Sequence, residues 1–261
     1  MEPLHATDVP TLEGVTPTTS ALLAWWFGPH RAHARAQVNL DGVQRQAILA
    51  TIAAHETGGA PHRRHCLELA TGSGRTPVLL ALLIWQLVNR MHAQASGCDD
   101  LRFARHFLVV APGLIAYERL LDAFCGHPIP GGLGARDFGA ADLVRFSDFY
   151  LPPAWRDRVI AFVCGSVCGH NDIGLKATGD GLLALAHRRL LVEGRARSPL
   201  LQHLGQLSEL MVFDDEAHPI PGLVRAGCTT DVAWQACLHR IASGKGSRYA
   251  QVNFLDAPPQ P

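Results

Sequence analysis

The stretch Cys66–Thr76, CLELATGSGRT, decides the fold of this 261-residue chain, because a short apolar run leads directly into a glycine-rich loop. A long apolar helix is predicted immediately afterwards, from Val78 to about Ala93. Backbone N–H groups of such a loop, with a helix N-terminus behind them, bind phosphate groups. This order of strand, loop and helix therefore predicts a nucleotide phosphate site at Thr71, Gly72, Ser73, Gly74, Arg75 and Thr76.

Arg75 stands at the position where a phosphate-binding loop usually carries lysine. Lysine presents a compact point charge, whereas arginine is longer and planar. We therefore expect Arg75 to attract polyphosphate but to reduce hydrolysis steeply, while the hydroxyl of Thr76 would ligate magnesium. The alternative interpretation of the stretch is an ordinary glycine-rich turn between a strand and a helix.

A second candidate element, VFDDEAH, follows another apolar run and begins at Val212. Here Asp215 is the predicted metal-side carboxylate and Glu216 the predicted general base, with His218 linking the site to neighbouring elements. We expect the loop around Ser73 and the carboxylates near Phe213 to end adjacent strands and to face one pocket. Taken alone, acidic residues after a strand are usually a solvated turn.

Short apolar runs alternate with longer helical patterns along the chain, which predicts an α/β fold with a mainly parallel β-sheet and helices on both faces. The predicted strands are Cys66–Ala70, His106–Ala111, Val159–Val163, Leu182–Ala186, Glu209–Phe213 and Tyr249–Phe254. Further helices are predicted at Ser20–Phe27, Gly42–His55, Leu114–Phe124 and Val232–Ser243. Residues 1–40 are predicted to be a tail and helical lead-in, 41–258 one domain, and 259–261 the C-terminal end, with Gly126–Gly139 as an insertion or functional loop.

Composition narrows the class of protein. The chain is 48% hydrophobic and 18% charged with a formal net charge of zero, which excludes extensive disorder and nucleic-acid binding by bulk charge. Its longest apolar stretch, Pro77–Val88, is too short to cross a bilayer, and the N-terminus lacks a secretory pattern, so we expect a cytoplasmic protein without a membrane partner. The seven cysteines are expected to be reduced, mostly buried thiols, with Cys164, Cys168 and His170 as a weak metal-binding alternative.

The glycine loop TGSGRT followed by DEAH, in this order and at this separation, resembles the first RecA-like domain of the DEAD/DEAH-box superfamily 2 helicases, in particular the restriction subunits of type III restriction enzymes. The resemblance implies a RecA-like P-loop fold, ATP and Mg²⁺ as cofactors, and nucleic acid as partner, DNA in preference to RNA. Gln44–Ile48, QRQAI, is similar to the glutamine element that reads adenine, which implies that Gln44 contacts the base. The implied nucleic-acid contacts are Pro112, Gly113, Thr178 and Gly179, and position at the sheet edge adds His187 and Arg188.

Two further departures from the family pattern bear on activity. The stretch Asn253–Pro258 occupies the place of a serine-alanine-threonine-proline motif and lacks its hydroxyls. The second RecA-like domain, which supplies arginine fingers, is expected on a separate chain. We therefore predict an ATP-binding, DNA-facing first motor domain with impaired hydrolysis. The alternatives are a non-catalytic interaction module or truncated helicase remnant, and a small-molecule kinase, which the DEAH element and Gln44 disfavour.

Overall fold

The central feature of the computed structural model is a six-stranded, all-parallel β-sheet in the order β1-β8-β7-β2-β6-β5. The structure describes residues 11–28, 40–58, 63–69, 74–132, 134–169, 181–193, 199–215 and 229–256. A separate two-stranded hairpin consists of β3 and β4. The strands are β1 (Arg63–Leu69), β2 (His106–Ala111), β3 (His127–Pro128), β4 (Arg136–Asp137), β5 (Val167–Gly169), β6 (Leu182–His187), β7 (Leu210–Asp215) and β8 (Tyr249–Asp256).

Helices cover both faces of the sheet, as the alternating pattern predicts. They are α1 (Pro17–Phe27), α2 (Gly42–Thr57), α3 (Arg75–Ala95), α4 (Leu114–Cys125), α5 (Asp142–Tyr150), α6 (Pro153–Ser166), α7 (Arg188–Glu193), α8 (Pro199–Gln206) and α9 (Thr229–Ala242). Alternate strand residues point to opposite faces, so Phe107 and Phe213 join one core with α1 to α6. Leu108 and Val212 join a second core with α7, α8 and α9. This arrangement is an α/β fold of the RecA-like type.

Most strand predictions are confirmed, but Val159–Val163 is wrong: this run lies inside helix α6. Val159 and Val163 are four residues apart and both buried, so they share one helix face. A short apolar run fits a buried helix as well as a strand. The sequence reading also missed β5, α5, α7 and α8, and α1 begins at Pro17 rather than Ser20 because the side chain of Thr16 caps it.

Helix α1, assigned from the sequence to a lead-in, packs into the first core through Leu22, Leu23 and Trp26. A buried polar network anchors it beneath α3. Glu56 accepts hydrogen bonds from the Thr16 backbone N–H (2.6 Å), from the Thr19 hydroxyl and from the Trp85 indole (3.0 Å). Because a buried carboxylate needs such donors, this network fixes α1, α2 and α3 against one another.

The segment Gly126–Gly139, predicted to be an insertion or functional loop, contains the β3–β4 hairpin. Arg136 anchors it: its Nη1 donates to Asp122 and to the Gly126 carbonyl, each at 2.8 Å, and its Nη2 donates to Glu118 at 3.1 Å. The hairpin is therefore tied to the last turns of α4.

Two composition-based expectations can be compared with the described residues. Of the cysteines, Cys66, Cys98 and Cys164 are exposed thiols and Cys125 and Cys237 are half-buried, so the expectation of mostly buried thiols is wrong for these five. Among the helices in the described ranges, none is both long and apolar enough to cross a membrane.

Candidate functional site at the carboxyl edge of the sheet

Gly74 and Gln44 determine the conformation of the chain at the N-terminus of helix α3. Gly74 is the N-cap of α3 and has φ +75°, a left-handed conformation that favours glycine. Gln44 donates from Nε2 to the Gly74 carbonyl at 3.3 Å, and its Oε1 accepts from the Asp41 N–H at 3.0 Å. A Cβ at Gly74 would lie 2.5 Å from that amide nitrogen. Gln44 thus connects the capped start of α2 to the start of α3, and its contact with adenine remains a prediction.

Arg75, the first residue of α3, reaches across the edge of the sheet to the end of β7. Its Nη1 lies 3.3 Å from Oδ1 of Asp215, and its Nη2 donates to the Leu69 carbonyl at 3.0 Å. The side chains are only 16% and 24% exposed, so this ion pair is partly shielded from solvent. The structure therefore brings Arg75, the residue directly after the N-cap Gly74, into contact with the acidic end of β7.

The expectation that these two segments end adjacent strands is wrong. Strand β8 lies between β1 and β7, with Leu69 opposite Asp256 and Phe254 opposite Asp215. Arg75 nevertheless contacts both strand ends, since its guanidinium reaches the Leu69 carbonyl at 3.0 Å and Asp215 at 3.3 Å. Strand order in a parallel sheet depends on crossovers that no local sequence pattern encodes.

The predicted site divides between described and undescribed residues. Thr76, the predicted hydroxyl ligand, is half-buried in the first turn of α3. The remaining predicted residues outside the described ranges are Thr71, Gly72, Ser73, Thr178, Gly179, Glu216 and His218.

Arg188 and Asp214 form a buried ion pair that the sequence analysis did not anticipate. Arg188 donates from Nη2 and Nε to Oδ1 of Asp214 at 3.0 and 3.3 Å, and the Trp234 indole donates to Oδ2 at 2.7 Å. The Arg188 guanidinium also lies over the Trp234 ring, 5.9 Å from its centroid. With side chains 7% and 1% exposed, Arg188 faces the second core rather than the surface, and its contact with nucleic acid stays a prediction.

His187 is similarly enclosed, with its ring packed edge-on against Tyr117 at 5.6 Å. Pro112 and Gly113 follow β2 and are half-buried. The next two residues, Leu114 and Ile115, are 62% and 76% exposed at the same edge of the sheet. The four predicted nucleic-acid positions that the structure describes thus lie at or just after the ends of β2 and β6, and β2 pairs with β7, the strand that carries Asp215.

Strand β8 carries a chain of polar side chains on the face of the second core. Tyr249 donates to Gln251 at 2.9 Å and Gln251 donates to Asn253 at 2.7 Å. These residues alternate along the strand and therefore share one face. Burial raises the pKa of the Tyr249 hydroxyl, so the group stays protonated and can donate well above neutral pH.

The described residues of the site do not fit a divalent cation in the arrangement that the motif implies. Magnesium needs an accessible carboxylate oxygen and room for several of its own water molecules. The Asp215 oxygen that would serve as ligand instead contacts the positive charge of Arg75. Among the described residues there is also no cluster of three His, Cys, Asp or Glu side chains that could hold a metal.

An all-parallel sheet covered on both faces, with a strand–loop–helix unit and an acidic strand end meeting at its carboxyl edge, defines a RecA-like P-loop domain. Residues 37–131 match the family model described as Type III restriction enzyme, res subunit. This match supports the resemblance seen in the motifs: residues 37–131 are similar to the helicase-like domain of restriction subunits. No curated protein and no solved structure matches the chain significantly.

Proposed function

We propose that this chain is the ATP-binding, DNA-facing first motor domain of a DEAH-type helicase or restriction-subunit ATPase, with hydrolysis impaired by Arg75. The observation that carries the proposal is the 3.3 Å contact between Arg75 of the glycine loop and Asp215 of the DEAH element, at the carboxyl edge of the sheet. In open α/β sheets, ligands bind outside the carboxyl ends of the strands. The proposed domain spans residues 41–258, with α1 packed onto its core.

The nucleotide would bind between the start of α3 and the end of β7. The first turn of α3 provides unsatisfied backbone N–H groups and the positive end of the helix dipole, both of which favour phosphate. Arg75 adds a cation at the same point. Thr71, Gly72, Ser73, Gly74 and Thr76 are proposed to take part in this site because they precede or begin α3 in the sequence.

Hydrolysis would be impaired because two groups that phosphoryl transfer needs are engaged with each other. Arg75 and Asp215 neutralise one another in the described arrangement. Lysine is shorter and would present a point charge toward the phosphates rather than a planar fork. Glu216 is the proposed general base, next to Asp215 in the sequence.

Saturable binding of a fluorescent ATP analogue tests the nucleotide assignment. The proposal expects a saturable signal that unlabelled ATP displaces. Substitution Arg75→Lys should then raise ATP turnover by about tenfold or more, because it restores the usual point charge. The matched control Arg156→Lys changes an arginine that is 37% exposed on α6 and should leave turnover unchanged. Absence of any saturable signal would favour a remnant that retains only the fold.

The DNA-facing assignment rests on the edge formed by β2 and β6, where Ala111 pairs with His187. Gly113 follows this edge and has open space around it, so Gly113→Asp adds a negative charge without a clash. We expect that change to weaken single-stranded DNA binding about tenfold in fluorescence anisotropy at low salt. Gly165→Asp, at an equally open position in α6, is the control and should have no effect.

The same anisotropy titration with RNA of matching sequence tests the preference for DNA. We expect weaker binding to RNA, and stimulation of Arg75→Lys turnover by DNA. Equal binding of the two nucleic acids would remove the DNA preference from the proposal. Turnover unchanged by either would count against a nucleic-acid role for this edge.

A further inference from the structure

Arg75 occupies the position from which a divalent cation would act on Asp215. Its Nη1 lies 3.3 Å from Oδ1 of Asp215, and the side chain is 16% exposed. A magnesium ion bound to that oxygen would be close to a second positive charge, and the two cations would repel each other. One cation at this carboxylate therefore excludes the other.

The position of the guanidinium is set by the backbone. Its Nη2 donates to the carbonyl of Leu69, the last residue of β1, at 3.0 Å. At the other end, Gly74 in its left-handed conformation starts helix α3 and directs Arg75 toward the sheet edge. The guanidinium is thus held between the ends of β1 and β7, in front of the first turn of α3.

The chemistry of the guanidinium suits a bridge between a carboxylate and phosphate. It is planar, permanently charged and rich in N–H donors, and it binds phosphate oxygens in a bidentate manner. Magnesium in a phosphate-binding loop performs the same bridging by linking the protein carboxylate to the phosphate oxygens. Arg75 can supply this link within the protein itself.

We infer that Arg75 takes the place of the divalent cation at Asp215, so that this domain binds nucleoside triphosphate as the free polyphosphate, without magnesium. The inference rests on the proposed nucleotide-binding function, and it specifies that the nucleotide binds in its metal-free form. Free ATP carries more negative charge than its magnesium complex, in which the metal occupies phosphate oxygens. The guanidinium therefore favours the metal-free form, and magnesium gives no gain in affinity.

The test compares nucleotide affinity in excess EDTA and in excess magnesium chloride, using a fluorescent ATP analogue and displacement by ATP. For the wild-type chain, the dissociation constant in EDTA should be equal to or below that in magnesium. In Arg75→Lys the order should reverse, with magnesium tightening binding by about tenfold or more, because Asp215 is released to hold the metal. Arg156→Lys should keep the wild-type order.

A second substitution distinguishes a metal role of Asp215 from a general effect on the fold. Asp215→Asn alone should leave the wild-type chain indifferent to magnesium. Added to Arg75→Lys, it should abolish the restored magnesium dependence. Both results are ratios of the dissociation constants in EDTA and in magnesium, so they do not depend on ATP turnover.

The possible failures are distinguishable. Wild-type binding that requires magnesium would overturn the inference and leave the proposed nucleotide-binding function intact. Absence of binding in both EDTA and magnesium would overturn the proposed function and the inference together. Equal magnesium dependence in wild type and Arg75→Lys would also overturn the inference, since it would show that Arg75 does not exclude the metal.

Discussion

Substitution Arg188→Met is expected to destabilise the fold strongly, because it removes the guanidinium that donates two hydrogen bonds to the buried carboxylate of Asp214. The Asp214 side chain is 1% exposed and Arg188 is 7% exposed, so water cannot replace the lost partner. Removing one member of a buried ion pair costs about 3–5 kcal/mol. The Trp234 indole, 2.7 Å from Oδ2, would remain as a donor but carries no charge.

Protonation of Asp214 in the variant sets an upper limit on this loss. An aspartic acid in water has a pKa of about 3.9, roughly three pH units below neutral, and each pH unit is worth about 1.4 kcal/mol. At pH 7 the variant can therefore lose about 4 kcal/mol of folding stability. A larger loss is not expected, because the folded variant would then be more stable with Asp214 protonated. The same limit at pH 5 is about 1.5 kcal/mol. The loss of stability should thus shrink by more than half between pH 7 and pH 5.

Urea unfolding followed by far-ultraviolet circular dichroism measures both quantities, with wild type and variant compared at each pH. The double variant Arg188→Met/Asp214→Asn is the control and should recover most of the stability at pH 7, because it also removes the buried negative charge. A loss below about 1 kcal/mol at pH 7 would refute the reasoning, since that is the range of an exposed ion pair. A loss equal at both pH values would refute the assignment to charge burial.

Three further outcomes are expected from other parts of the chain. Gly74→Ala should lower stability by about 1–2 kcal/mol, measured as a lower Tm, because the φ of +75° and the nearby Gln44 amide disfavour a Cβ. The control Gly113→Ala lies in open space and should leave the Tm unchanged. Glu56→Gln should lower the free energy of unfolding in urea by about 2–3 kcal/mol. The reason is that an amide cannot accept all three of the hydrogen bonds that reach this buried carboxylate. Burial, with positive charge nearby, lowers the pKa of His106 from 6.5 to about 4, so the unfolded chain binds the extra proton and stability falls as the pH drops from about 6.5 to about 4. After allowance for solvent screening, this loss is about 2 kcal/mol. His106→Phe should flatten the stability profile in that window, and an unchanged slope would show that other groups cause it.

The sequence predicts the fold class and the place of the candidate site, because both depend on local patterns of apolar residues and glycines. The alternation of short apolar runs with helical segments predicts the α/β class, and the glycine loop before α3 places the candidate site at the carboxyl edge. The prediction that the glycine loop and the acidic strand end lie at one edge follows from the same argument, because strand ends of a parallel sheet share one edge, although the two strands are not adjacent. Each of these inferences needs only local periodicity and the rule for parallel strands.

Features that depend on distant residues were not predictable in this way. The insertion of β8 between β1 and β7 is set by crossovers rather than by any stretch of the chain. Arg188 follows a strand and therefore read as a surface residue, but its partner Asp214 is 26 residues away. The apolar run from Val159 satisfies a helix and a strand equally, and only packing against neighbouring elements decides between them.

Asp214 and Asp215 show why the acidic motif should not be mutated as a unit. Consecutive strand residues point to opposite faces of the sheet. Asp214 therefore follows Val212 into the second core and pairs with Arg188, whereas Asp215 follows Phe213 to the face of α3 and pairs with Arg75. A change at Asp214 should alter the free energy of unfolding, and a change at Asp215 should alter the response of nucleotide binding to magnesium once Arg75 is replaced. A combined substitution would mix a folding defect with a binding defect, so the two aspartates have to be tested one at a time.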